Sequence, residues 1–214
     1  MRFFLPAAVS LALAVGVAPT AHAAVIAANN PPPGDFYTNA GPTNQGQPVG
    51  ASGWYYNNVR NGGVVGINTT YLHVGSPTLY FNTPSGAAKA DGEFLANGVN
   101  VLGNYAAAGS LGNFSAFSAA SYDWYRDSAS TTAANFHLAM RILLDADGNL
   151  ATTGDRGGLV FERAYNTPSG VPTDAWTSDA IGAGTFLWNF GLGIGTAANI
   201  NATPYAYDAT LAEW

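Results

Sequence analysis

The chain of 214 residues contains no cysteine. That absence excludes disulfides, thiolate nucleophiles, cysteine zinc sites and iron–sulfur clusters. Charge is scarce as well, at 9% of residues where ~25% is usual. Seven of the charged side chains are Lys or Arg, scattered along the chain, and the formal net charge is −6. No basic patch can be assembled from them, which counts against nucleic acid and anionic membrane surfaces as partners. Long apolar runs are confined to the first residues. Beyond them nothing approaches the ~20 residues of a membrane helix, so no later transmembrane segment is expected.

The N-terminus has its own logic. Arg2 precedes an apolar run from Phe3 to Val17, and Ala21-His22-Ala23 supplies a small-x-small cleavage pattern. Pro6, Ser10 and Gly16 interrupt the run, which is too short for a bilayer core of ~30 Å. The pattern is that of a bacterial-type signal peptide over residues 1–23, and the expected destination is secreted or cell-envelope. Cleavage before Ala24 removes Arg2 and takes the net charge from −6 to −7. A mature chain of this length buries roughly 70% of its unfolded surface and holds a core without disulfides.

What is abundant is Gly (26 residues), with aromatics at 13%. Such an uncharged polar surface over an aromatic interior suits a β-protein whose turns need Gly and Asn at positive φ. Residues 24–50, with Pro31-Pro32-Pro33-Gly34 and a Gly/Pro/Asn/Gln tract, read as a lead: a tether, or a strand laid on the body. Residues 51–214 carry the strand signals, among them Trp54 to Val59, Val64 to Ile67, Thr78 to Phe81, Ala87 to Leu95 and Phe114 to Arg126. Asn97-Gly98 suits a hairpin turn. Within the aromatic stretch, Tyr122 and Trp124 fall on one face, Asp123 and Tyr125 on the other.

Ala134 to Leu144 has helix-favouring composition, yet Ala134, Phe136, Leu138, Met140, Ile142 and Leu144 alternate strictly, which predicts a strand. Phe186, Trp188 and Phe190 alternate likewise, and Gly191-Leu192-Gly193-Ile194-Gly195 reads as a flexible strand or turn. Many short strands between Gly, Asn and Pro turns predict an all-β antiparallel fold, sandwich or barrel. Counting back from Trp214 at alternate positions reaches Asp208, an unfavourable residue for a lipid-facing strand, so the sandwich is preferred to a membrane barrel. At the end of the chain Asp208 can cap a short helical turn whose Leu211 and Trp214 share a face.

Three constellations carry chemistry. Asp145, Asp147 and Asn149 offer oxygen ligands at alternate positions around Gly148, which suits Ca²⁺. An EF-hand is excluded, since its twelfth position, Arg156, is a cation; a β-turn with an acidic tip is the simpler expectation, or a different calcium site completed by Asp155. Glu93 and Glu162 are candidates for a glycosidase carboxylate pair, which requires them about 5–10 Å apart in one groove. The aromatics Tyr55, Tyr125 and Trp176, with Asp123, suit stacking on sugar faces. Trp124 and Trp188 are expected in the core, and Tyr125 and Trp176 at the surface. His137 is expected on a sheet face, and no Gly-x-Ser-x-Gly elbow accompanies either mature histidine.

Ser52-Gly53-Trp54-Tyr55-Tyr56-Asn57-Asn58-Val59-Arg60, Ser121-Tyr122-Asp123-Trp124-Tyr125-Arg126-Asp127, Gly158-Leu159-Val160-Phe161-Glu162 and Thr210-Leu211-Ala212-Glu213-Trp214 together resemble uncharacterised exported bacterial proteins of the PEP-CTERM-associated type. The resemblance implies a concanavalin-A-like, jelly-roll β-sandwich and no established activity. Relatives continue past the Leu-Ala-Glu pattern into further strand and a sorting tail, so the domain is expected to be C-terminally incomplete here. The expectation is a non-catalytic module recognising glycan or extracellular matrix. The alternatives are a small jelly-roll glycoside hydrolase using Glu93 and Glu162, and a self-associating structural surface protein. No cofactor is expected other than the calcium considered above.

Overall fold

The computed structural model describes residues 53–56, 61–94, 96, 109–152, 154–167, 170–191, 193–195 and 209–214, with the backbone alone of 36–37, 47–48 and 57–60. The Asn97-Gly98 turn and the Asp208 cap lie outside these residues. The described part is mostly β. Its strands are β1 (Phe36–Tyr37), β2 (Gln47–Pro48), β3 (Trp54–Arg60), β4 (Val64–His73), β5 (Ser76–Asn82), β6 (Lys89–Phe94), β7 (Ala120–Tyr125), β8 (Met140–Asp145), β9 (Arg156–Phe161), β10 (Trp176–Ile181), β11 (Phe186–Phe190) and β12 (Ala209–Thr210). Every described pairing is antiparallel.

The first six strands form two sheets, ordered β1-β4-β5 and β2-β3-β6. The two described pieces of the lead are therefore edge strands, β1 on β4 and β2 on β3. Tyr56 of β3 meets Val65 and Ile67 of β4 in a buried cluster walled by Trp54, Leu79, Phe81 and Ala90. Val65 and Ile67 have no exposed surface, and each such side chain stabilises the fold by roughly 1.5–3 kcal/mol. Asn61-Gly62, both at positive φ, turns the chain from β3 into β4. The β4–β5 hairpin closes through Val74 (φ 50°) and Gly75 (φ 80°) between the paired His73 and Ser76.

The remaining strands form a four-stranded sheet, β12-β11-β9-β8, and the β10-β7 ribbon. Their core joins Leu159 and Phe161 of β9, Ile181 of β10 and Leu187 of β11 to Ile194 and Leu211. β9 is buried on both faces, since Leu159, Val160 and Phe161 are all at most 3% exposed. Gly157 is dictated by contact: a Cβ there would stand 2.1 Å from the Phe190 carbonyl oxygen.

Several expectations are corrected. The strand expected over 134–144 exists only from Met140; Phe136 is 55% exposed and its amide closes a turn onto the Ala133 carbonyl. Alternation there is broken because His137 turns inward onto Trp124, as described below. The stretch 114–126 opens with a 3-10 turn, Phe114–Ala116, before β7 begins. On β11 the buried positions are Leu187 and Asn189, so Phe186, Trp188 and Phe190 occupy the less buried face. Trp188 is accordingly half-buried, whereas Trp124, at 2% exposed, is in the core as expected. Of the strand or turn expected over 191–195, residues 193–195 form a helical turn. The C-terminal turn is present: the Trp214 amide reaches the Thr210 carbonyl, and Glu213 accepts from the Thr210 amide and hydroxyl.

Candidate functional site

Antiparallel pairing of β7 with β10 places Tyr125 opposite Trp176 and Asp123 opposite Ser178. Residues opposite one another share a face, so these four side chains lie on one side of the ribbon. Trp124 and Asp179 lie on the other. Three of the residues singled out for ligand binding, Tyr125, Trp176 and Asp123, are thereby brought together. The end of the β4–β5 hairpin docks on the same face. His73 packs its ring 4.4 Å from that of Trp176, and Tyr71 packs 4.8 Å from Tyr125. Tyr125 and Trp176 are 5.7 Å apart. The Trp176 indole N–H donates to the Leu72 carbonyl at 2.9 Å, and His73 Nε2 lies 3.3 Å from Asp123 Oδ2.

Carboxylates rim this aromatic patch. The Tyr71 hydroxyl donates to Asp127, whose other oxygen accepts from the Ala129 amide at 2.7 Å. Those bonds hold the Asp127 carboxyl below the usual range, Tyr71 contributing most. In return the Tyr71 phenol is pushed up to about 12, because its proton is bound by a carboxylate. Asp174 accepts from the Ser128 amide at 2.9 Å and from the Tyr125 hydroxyl at 3.4 Å, and its carboxyl is also held low, Ser128 contributing most. Ser178 donates to Asp123. The patch thus offers ring surfaces and anionic acceptors with little cationic character.

Tyr71, His73, Asp127 and Asp174 were not singled out from the sequence. The signal available was Tyr71-Leu72-His73, an alternating aromatic run ending on a Val-Gly turn. Its placement against β10, more than a hundred residues away, had no local signature.

Beneath the patch a buried polar network anchors β7 and β10. Asp179, 5% exposed, accepts from the Trp124 indole at 2.7 Å and pairs with the Arg163 guanidinium. His137 stacks on Trp124 at 4.7 Å and 10°. Its Nε2 accepts from the Arg163 amide at 3.0 Å, so Nδ1 carries the proton and donates to the Leu138 carbonyl. Burial pushes the His137 pKa down.

The other candidates are dispersed. Tyr55 lies on β3 opposite Glu93 of β6, on the face away from buried Tyr56, and among the described residues it has no ring contact with the patch. Glu93 lies on β6, but Glu162 falls just beyond the end of β9 and precedes the 3-10 turn Arg163–Tyr165, so it is on no strand and the two glutamates do not share a sheet. Asp145 and Asp147 lie at the β8–β9 hairpin with Asp155, each contributing one carboxylate oxygen to a group within 4.8 Å. The Asn149 side chain instead accepts from the Ala151 amide at 3.2 Å, stabilising the turn itself.

No protein-family model matches the chain, and no curated protein or solved structure does either. Among the described residues no helix is long and apolar enough to cross a membrane.

Proposed function

We propose that the protein is a non-catalytic recognition module for neutral glycan, exported to the cell surface or the surrounding matrix, with Tyr71, Tyr125, Trp176 and His73 as its stacking surface and Asp123 at its edge. A jelly-roll closure of the antiparallel sheets fits this reading, as does the resemblance to exported PEP-CTERM-associated proteins. The observation that carries it is the convergence of Tyr125, Trp176 and Asp123 on one ribbon face, joined by aromatic rings from a distant hairpin. Sugar rings stack on such surfaces through their C–H faces while carboxylates accept hydroxyl protons.

Binding is preferred to cleavage on chemical grounds. Two-carboxylate hydrolysis needs one acid with a raised pKa to protonate the leaving group. Asp127 and Asp174 are shifted the other way, their carboxyls held below the usual range by the hydrogen bonds they accept. The hairpin tip supports a functional role, since Val74 is 90% exposed and keeps φ at 50°. A β-branched residue holds that conformation at a cost, and such strain concentrates at binding sites.

A glycan array on residues 24–214, followed by a hydrolysis assay on every hit, tests the proposal. Retention of neutral oligosaccharides without turnover is expected. Turnover, or an array with no neutral hit, contradicts it.

A further inference from the structure

The β8–β9 hairpin loop holds an unbalanced group of charges. Asp145, Asp147 and Asp155 bring three carboxylates within 4.8 Å of one another, faced by Arg156. Among the described residues of the loop, three carboxylates face a single guanidinium. Arg156 is also partly committed elsewhere: its Nε lies 3.4 Å from Asp145 Oδ2, while its Nη2 donates to the Leu150 carbonyl.

Among the described residues, protein donors are few for the six carboxylate oxygens. The Asn149 amide serves Asp147 Oδ1 at 2.7 Å, and the Asp147 amide serves Asp155 Oδ2 at 2.9 Å. The single Thr152 hydroxyl proton is shared among Asp147, Asp155 and the Asn149 carbonyl. The decisive atom is Asp145 Oδ1. The Asp145 side chain is 10% exposed, and its Oδ1 is buried with no hydrogen-bond partner. A shielded anionic oxygen without a donor costs far more than a partnered one. A cation answers such an oxygen, and the Asp147 and Asp155 carboxylates belong to the same group.

We infer that this loop is a binding site for a hard divalent cation of the calcium class, coordinated by Asp145, Asp147 and Asp155. All the offered ligands are oxygens, with neither nitrogen nor sulfur to favour zinc or copper. An irregular hairpin loop tolerates the variable geometry of calcium better than the strict octahedron of magnesium. The site is independent of the aromatic patch. It has no reacting group and serves to lock the hairpin.

The test is calcium binding to the chelator-stripped protein, by equilibrium dialysis and by thermal melting in CaCl₂. One ion per chain is expected, with a dissociation constant of about 10⁻⁴–10⁻³ M as in other weak calcium modules. At 10 mM CaCl₂ the Tm is expected to rise by about 4–8 °C. Asp155→Asn should weaken binding at least tenfold. Asp147→Asn, at an exposed loop position, should do the same and covers the case in which Asp155→Asn fails to fold. No calcium retained at 10 mM, a larger response to MgCl₂ or ZnCl₂, or undiminished binding in the folded variants would overturn the inference.

Discussion

Val74 shows how one side chain can oppose its own backbone. It sits at φ 50° with 90% of its surface exposed, so it gains no burial to offset the left-handed conformation. That conformation costs an L-residue roughly 1–2 kcal/mol, and Asn tolerates it far better. Val74→Asn is therefore expected to stabilise the protein by about 1 kcal/mol in urea unfolding, with m unchanged. Asp179 is the opposite case. It neutralises Arg163 and satisfies the Trp124 indole from a nearly sealed position. Asp179→Ala takes the shared acceptor away from the Trp124 indole and the Arg163 guanidinium, and a loss of about 3 kcal/mol is expected in the same assay. Neither role is visible in the sequence, where Val74 is one apolar residue among many and Asp179 one carboxylate of thirteen acidic groups.

At the scale of elements, strands that obey period two were legible. The faces of β7 follow from the alternation of Tyr122, Asp123, Trp124 and Tyr125. Pairing with β10 was not legible, and it is pairing that brings Trp176 to Tyr125. Alternation misled where a polar residue is buried. Asn189 has no exposed surface, so the apolar rings of β11 fall on the other face. His137 likewise leaves the expected strand to cover Trp124. Its neutral form is required, because Nε2 must accept from the Arg163 amide. With its folded pKa pushed below the ordinary ~6.5, the unfolded chain takes up the proton first. The stabilisation is thus complete above pH ~6.5 and is lost as pH falls toward the folded value. Melting between pH 7.5 and 5 should show a steeper loss of Tm for the wild type than for His137→Phe. Parallel curves would remove His137 from that role.

For the whole molecule, composition was the reliable guide. Sparse charge with abundant Gly and aromatics suited a β-protein, the many short strands between Gly, Asn and Pro turns pointed to antiparallel pairing, and the described residues form antiparallel sheets. Two clusters hold it together, one around Val65 and Ile67, the other around Leu159 and Leu187. Contacts of the β4–β5 hairpin with β7 and β10 join the strands of the first cluster to those of the second. They do so through the aromatic patch: Tyr71 on Tyr125, His73 on Trp176, and the Trp176 indole on Leu72. The patch is thus both a structural junction and the proposed recognition surface, and these roles separate by experiment. Affinity electrophoresis through gels cast with neutral polysaccharides, comparing the wild type with a folded Trp176→Ala variant, is the most direct measurement. The account predicts that at least one polysaccharide retards the wild type and that the variant runs free. Equal mobility of the two proteins in every gel would contradict it.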